Sequence, residues 1–224
     1  MRHAASIFAS VALLLGGCLA QGGEVLDRIV ATVNGHILLQ SDWEDELHYE
    51  ALIAGRSPAA LTDDDRKAAL DRMIDQELLR QQIRSSDLEQ APAPEEIAAQ
   101  MAAIRNQIPG AETDSGWNGI LAQYGMTAAD VERRVSLQIA LTRLIDDRLR
   151  PTVQVDAKSI EDYYNNTFLP KLRQSGSKEV PLSEATPQIR EVLAEQQLND
   201  AIADWLKGLR ANSQIQIQAG SPTP

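Results

Sequence analysis

Glu24-Val25-Leu26-Asp27-Arg28-Ile29-Val30-Ala31-Thr32-Val33-Asn34-Gly35-His36-Ile37-Leu38-Leu39-Gln40-Ser41-Asp42 is the stretch on which the fold turns. Ile29, Ala31 and Val33 alternate along one face before Asn34-Gly35, and Ile37 and Leu39 resume the alternation after it. Asn-Gly between two such runs signals a tight hairpin, because both turn residues must take positive φ. Residues 27–40 therefore read as two antiparallel strands. Immediately behind them, Ser41-Asp42-Trp43-Glu44 reads as a capping box that opens a helix with Trp43, Leu47 and Ala51 along its apolar stripe. A lone hairpin is marginal in water, so a third strand is needed. Gln214-Ile215-Gln216-Ile217-Gln218 alternates strictly and fits that place, which would bring the two ends of the mature chain together.

Between these ends the punctuation is helical. Thr62 precedes Asp63-Asp64-Asp65, whose charges suit a helix N-terminus, and Leu70, Met73, Ile74 and Leu78 follow at core spacing. A third helix should start after Ala91-Pro92-Ala93-Pro94, present Ile97, Met101, Ile104 and Ile108, and stop at Pro109-Gly110. A short helix around Trp117, Ile120, Leu121 and Tyr124 should end at Gly125. Thr127 with Asp130 opens a longer one through Val131, Val135 and Ile139 to Leu149. Asp156 caps a helix carrying Ile160, Tyr163 and Tyr164. Residues 170–181 have a loop's composition, and a final helix over 183–211 carries Ile202, Trp205, Leu206 and Leu209 on one face. The fold class is mostly α, a multi-helix domain with a small antiparallel sheet made by the N-terminal hairpin and a C-terminal strand.

Composition agrees. Of 224 residues 43% are hydrophobic but only 4% aromatic, which favours helices of straight-chain residues over a sheet sandwich. The net charge of −11 disfavours nucleic acid and anionic lipid as principal partners. Residues 1–20 read as an export signal: a basic start at Arg2, an apolar run over 7–15, then Gly16 and Gly17. Leu15-Gly16-Gly17-Cys18 resembles a bacterial lipobox, with Cys18 as the lipidation site; cleavage after Ala20 is the alternative. Membrane association is expected only through that lipid, and residues 220–224 form a tail. Cys18 is the only cysteine, so the mature domain has no disulfide and no thiolate site.

Catalytic signatures are missing from the sequence. No Gly-rich phosphate loop follows a strand, and no nucleophile–base or His/Asp/Glu metal spacing stands out. The three Asp at 63–65 read as a helix N-terminus. No cofactor or metal is expected.

Residues 24–42, together with Leu70-Asp71-Arg72-Met73-Ile74-Asp75-Gln76-Glu77-Leu78-Leu79 and Tyr124-Gly125-Met126-Thr127-Ala128-Ala129-Asp130, resemble the N-terminal domain of SurA-type periplasmic folding factors. The resemblance covers roughly 24–156. Trp205-Leu206-Lys207-Gly208-Leu209-Arg210, followed by Ile215 and Ile217, is similar to that family's returning C-terminal element. It implies an N-terminal-like helical domain over 21–155, completed by returning helices and a strand over 156–219. Full-length relatives carry parvulin prolyl isomerase domains between these parts. The interval 165–182 is far too short for one, and His36 and His48 do not make the paired histidines of a parvulin pocket.

The resemblance implies a non-enzymatic periplasmic chaperone for unfolded outer-membrane or other envelope proteins. A structural or accessory subunit holding one partner is the alternative, and an unrecognised prolyl isomerase ranks below both. A chaperone needs adaptable apolar contact surface, a role that suits methionine and aromatic side chains. Met101, Trp117, Tyr124, Met126, Tyr163 and Phe168 are the expected client-binding residues.

Overall fold

The computed structural model describes residues 27–85 and 91–218. The expected export signal, Cys18 and the tail lie outside them. Asn34 and Gly35 take φ of 52° and 82°, and the tight turn they make joins β1 (Ile29–Val33) to β2 (His36–Leu39). Only glycine and a few short polar residues tolerate these angles, which is why the dipeptide is diagnostic. β3 (Ile215–Ile217) pairs antiparallel with β1, Val33 opposite Ile215 and Ala31 opposite Ile217, giving the order β2-β1-β3. The terminal strand thus completes the sheet as the alternation predicts.

Among the described residues, six longer helices carry the domain: α1 (Gln40–Ile53), α2 (Asp63–Arg84), α3 (Pro94–Gln107), α4 (Asp114–Gln123), α5 (Ala128–Arg148) and, after the short α6 (Ala157–Tyr163) and α7 (Leu169–Gln174), α8 (Leu182–Ala211). The predicted caps form at three starts. Thr62 accepts from the Asp65 amide at 3.2 Å while the Asp65 carboxylate accepts from the Thr62 amide at 2.8 Å. Thr127 and Asp130 repeat the reciprocal pair, and Asp156 accepts from the Ser159 amide at 2.8 Å. Asp65 also meets Arg56 at 2.7 Å, so the acidic run serves the helix start.

Two local readings need correction. α1 starts at Gln40 with Leu39 at its cap, so Ser41 lies inside the first turn and pairs with Glu44 in no capping box. The Ser41 hydroxyl and amide instead both donate to the Asp27 carboxylate, which ties the start of the helix to the segment leading into β1. The supposed loop over 170–181 is helical as far as Gln174. A π-helical turn, Tyr164–Phe168, carries α6 straight on into α7, and Pro170 follows directly on that turn at the start of α7.

Packing follows the apolar stripes. The inner face of the sheet, Val30, Ala31, Val33 and Leu38, meets Trp43 and Leu47 of α1 and Leu70, Ile74 and Leu78 of α2. A second cluster joins α4 and α5 through Trp117, Leu121, Met126, Val131 and Val135, with α3 laid against it. A third ties Leu79 of α2 and Leu144 of α5 to Trp205 of α8, so Trp205 links the last helix to the N-terminal ones but stays half-buried. A fourth, around Ile160, Ala185 and Ile189, holds α6 on the N-terminal half of α8. Among the described residues no helix is long and apolar enough to cross a membrane.

Candidate functional site

An α-helix that buries one stripe can offer a second to something else, because residues at i, i+3, i+4 and i+7 share a face. On α1 the inward stripe is Trp43, Leu47 and Ala51, and one step round the helix lie Asp42, Asp45, Glu46 and Tyr49 at that spacing. On α2 Met73, Gln76, Arg80 and Ile83 follow the same rule, and on α5 Arg133, Arg134, Leu137 and Leu141 do. These stripes and the start of α3 enclose an open groove of about 910 Å³. Leu38, Met73, Ile97, Leu137 and Leu141 give it an apolar floor beneath polar rims.

The charges of the groove are arranged unevenly. Glu46, 7% exposed, is ion-paired with Arg134 and accepts from the Gln76 amide nitrogen at 3.1 Å. Arg134 also stands 5.2 Å from the centre of the Tyr49 ring, a cation–π distance. Burial pushes the Tyr49 phenol above its usual value, with Arg134 opposing. Arg133 pairs with Asp130, and Arg80 meets Glu77 at 2.9 Å. Asp45 differs from these: burial pushes its carboxyl up, Arg134 pulls it down, and Asp130 and Asp42 add to the rise.

Behind the groove, Glu77 is fully buried. Arg84 donates to it at 2.7 Å, Arg80 and Gln81 donate at 2.9 Å, and His36 Nε2 is 3.6 Å away. Burial opposes its ionisation, but the hydrogen bonds from Gln81 and Arg84, with His36 and Arg80, hold its carboxyl below the ordinary range. Gln81 also donates to the Val33 carbonyl at 3.1 Å, so this carboxylate fastens α2 to the hairpin.

The residues expected from sequence to face a partner fall in two places. Trp117 and Met126 are 3% and 4% exposed, core residues of the α4–α5 cluster, because Trp117 shares its inward stripe with Leu121. Met101 and Tyr124 are half-buried against the same cluster, and the Tyr124 hydroxyl donates to the Arg56 carbonyl at 3.0 Å. Met101 and one edge of Trp117 line a second, shallower groove of about 740 Å³ between α3 and α4, where Arg105 lies 6.0 Å over the Trp117 ring. Tyr163 and Phe168 are half-buried in the fourth cluster, packed on α8 with Tyr164, which stacks on Phe168. None of the six lines the larger groove, whose signal in the sequence is a second mixed stripe on each of three helices.

A family model, the SurA-like N-terminal domain, matches residues 3–145. This chain belongs to that family. The match takes in every residue that lines the larger groove, from His36 to Leu141, and leaves α6, α7, α8 and β3 beyond its end. The SurA-like N-terminal domain is a chaperone-type unit that binds protein substrates rather than a catalytic one, and its family is periplasmic. No curated protein matches the chain. Among the described residues no group of three or more His, Cys, Asp or Glu is placed to hold a metal ion.

Proposed function

We propose that this SurA-like protein is a non-enzymatic periplasmic chaperone that holds unfolded outer-membrane or other envelope proteins in the groove between α1, α2 and α5. The observation that carries the reading is the groove itself: an open trough with an apolar floor and polar rims, lying wholly within the family-matched part of the chain. Such a trough shields an extended apolar segment while its rims stay hydrated, and it allows release because the apolar contact is shallow. Met101 and Tyr124, on the second cluster, and Tyr163 and Phe168, on the fourth, are further client contacts in this reading, away from that groove. Trp117 and Met126 lie in the core of the second cluster and hold α4 against α5.

Holding requires no nucleotide, metal or bond chemistry. Lipidation at Cys18 would keep the domain near a membrane, and cleavage after Ala20 would release it. The test is light scattering from an outer-membrane protein diluted out of denaturant. The chaperone reading expects near-stoichiometric protection, with no acceleration of proline isomerisation in a short peptide. Failure to protect any such client would overturn it.

A further inference from the structure

The charge balance of the larger groove names the kind of segment it takes. All three arginines on its walls are engaged: Arg80 with Glu77, Arg133 with Asp130, and Arg134 with Glu46. The acids are not matched in the same way. Among the described residues, Asp42, Asp45 and Glu132 line the same groove with no cation within ion-pair distance. Asp42 accepts a long 3.4 Å bond from the Leu39 amide, and the Asp45 carboxylate accepts no hydrogen bond from any described residue. Asp45 is also half-buried, so water compensates its charge only in part. Arg134 and His48 act on Asp45 only from beyond ion-pair distance, and a half-desolvated carboxylate held by no hydrogen bond or ion pair is costly and is found preferentially at functional sites.

We infer that the groove selects unfolded segments in which a lysine or arginine flanks an aliphatic or aromatic side chain, the cation meeting Asp42 and Asp45 while its apolar neighbour rests on the groove floor. This rests on the chaperone reading above and deepens it. Charge complementarity decides the occupant, since an acidic segment would add like charge to three unmatched carboxylates. A neutral apolar segment would leave Asp45 as it stands.

The test compares three fluorescently labelled peptides of one apolar sequence, differing only in a central lysine, glutamine or glutamate, by anisotropy with the purified protein. The lysine peptide should bind about three- to tenfold more tightly than the glutamine one, as expected for one or two partly exposed ion pairs, and the glutamate peptide should bind most weakly. High salt should compress the differences. D42N/D45N should lose the lysine peptide's advantage over the glutamine one, since Glu132, which remains, is exposed and screened by water. E191Q/E195Q, which removes the same charge from exposed positions on α8, should keep the lysine preference. Equal binding of the three peptides by the unmodified protein, or a lysine preference that survives D42N/D45N, would overturn the inference and leave the chaperone reading standing. Failure of every peptide to bind, together with no protection of an unfolded membrane protein, would overturn both.

Discussion

Asn34 and Gln214, 180 residues apart, exchange two hydrogen bonds of 2.8 Å: the Asn34 amide donates to the Gln214 carbonyl, and the Gln214 amide donates to the Asn34 side-chain oxygen. The hairpin tip is thereby the point where the returning end of the chain is fastened. The Asn34 side-chain amide adds bonds to Gln81 at 2.7 Å and Ser213 at 3.1 Å, so one residue ties β1, α2 and β3 together. Asn34→Ala removes these side-chain bonds and places an alanine at φ 52°, and should destabilise the domain by about 1–2 kcal/mol in urea unfolding. Asn34→Asp keeps the acceptor and the tolerance of positive φ, and should cost less.

Glu77 is the buried counterpart of that surface latch. Glu77→Leu frees Arg80 and Arg84 to water, since both already reach solvent, but it abandons Gln81 and the hairpin anchor. The expected loss is about 2–3 kcal/mol by chemical denaturation, less than the cost of stranding an unpaired charge in a core. His36→Ala should be near neutral, because His36 is 48% exposed and stands 3.6 Å from the carboxylate.

Trp205 packs half-buried against the third cluster, with the Arg148 guanidinium 4.8 Å above its ring. Trp205→Ala should therefore cost about 2–3 kcal/mol, below the 3–5 typical of a fully buried ring. Arg148→Ala should lower the melting temperature slightly in the unmodified protein and not at all in Trp205→Ala, which a double-mutant cycle would show.

Several of these relationships are legible from residues alone, and the reason is locality. Asn34-Gly35, Thr62, Thr127 with Asp130, and Asp156 each satisfy a need of the backbone within three or four residues, so their chemistry marks their structure. Ser41 misleads because its partner is Asp27, fourteen positions back. Residues 170–174 mislead because the helix containing them is carried forward from Tyr164–Phe168, which overrides a loop-like composition. Trp117 and Met126 show the same limit. An aromatic and a methionine suit a core as well as a binding surface, and only packing decides between them. The groove draws on five segments at once, β2, α1, α2, the start of α3 and α5, so its shape is tertiary even though each stripe is visible.

The acids of the domain should respond to pH with opposite signs. Arg56 and the Thr62 cap hold Asp65 well below its ordinary 3.8, so its contribution is complete above that value and disappears as the pH falls through the depressed native one. Asp130 and Asp156, lowered by hydrogen bonds from Thr127 and Ser159, behave alike. Asp45 is raised, so the native state holds its proton more firmly than the unfolded chain does, and its ionised form at neutral pH opposes folding. Asp65→Asn should lower the melting temperature at pH 7 and do little in strong acid. Asp45→Asn should raise it at pH 7 by about 1–2 °C, solvent screening keeping the effect small, with the gain shrinking as the pH falls toward 4. Melting curves of both variants between neutral pH and pH 3 check the pair of signs.

Whether an unfolded client occupies the groove between α1, α2 and α5 is tested most directly by placing a photo-reactive residue at Leu137, on its floor, and another at Glu191, on the exposed side of α8. The measurement is the yield of cross-linked adduct with an unfolded outer-membrane protein after brief illumination. Abundant adduct is expected from position 137, suppressed by excess unlabelled client, and little from position 191. Equal yields from the two positions, or none from 137 while the protein still prevents aggregation, would contradict it.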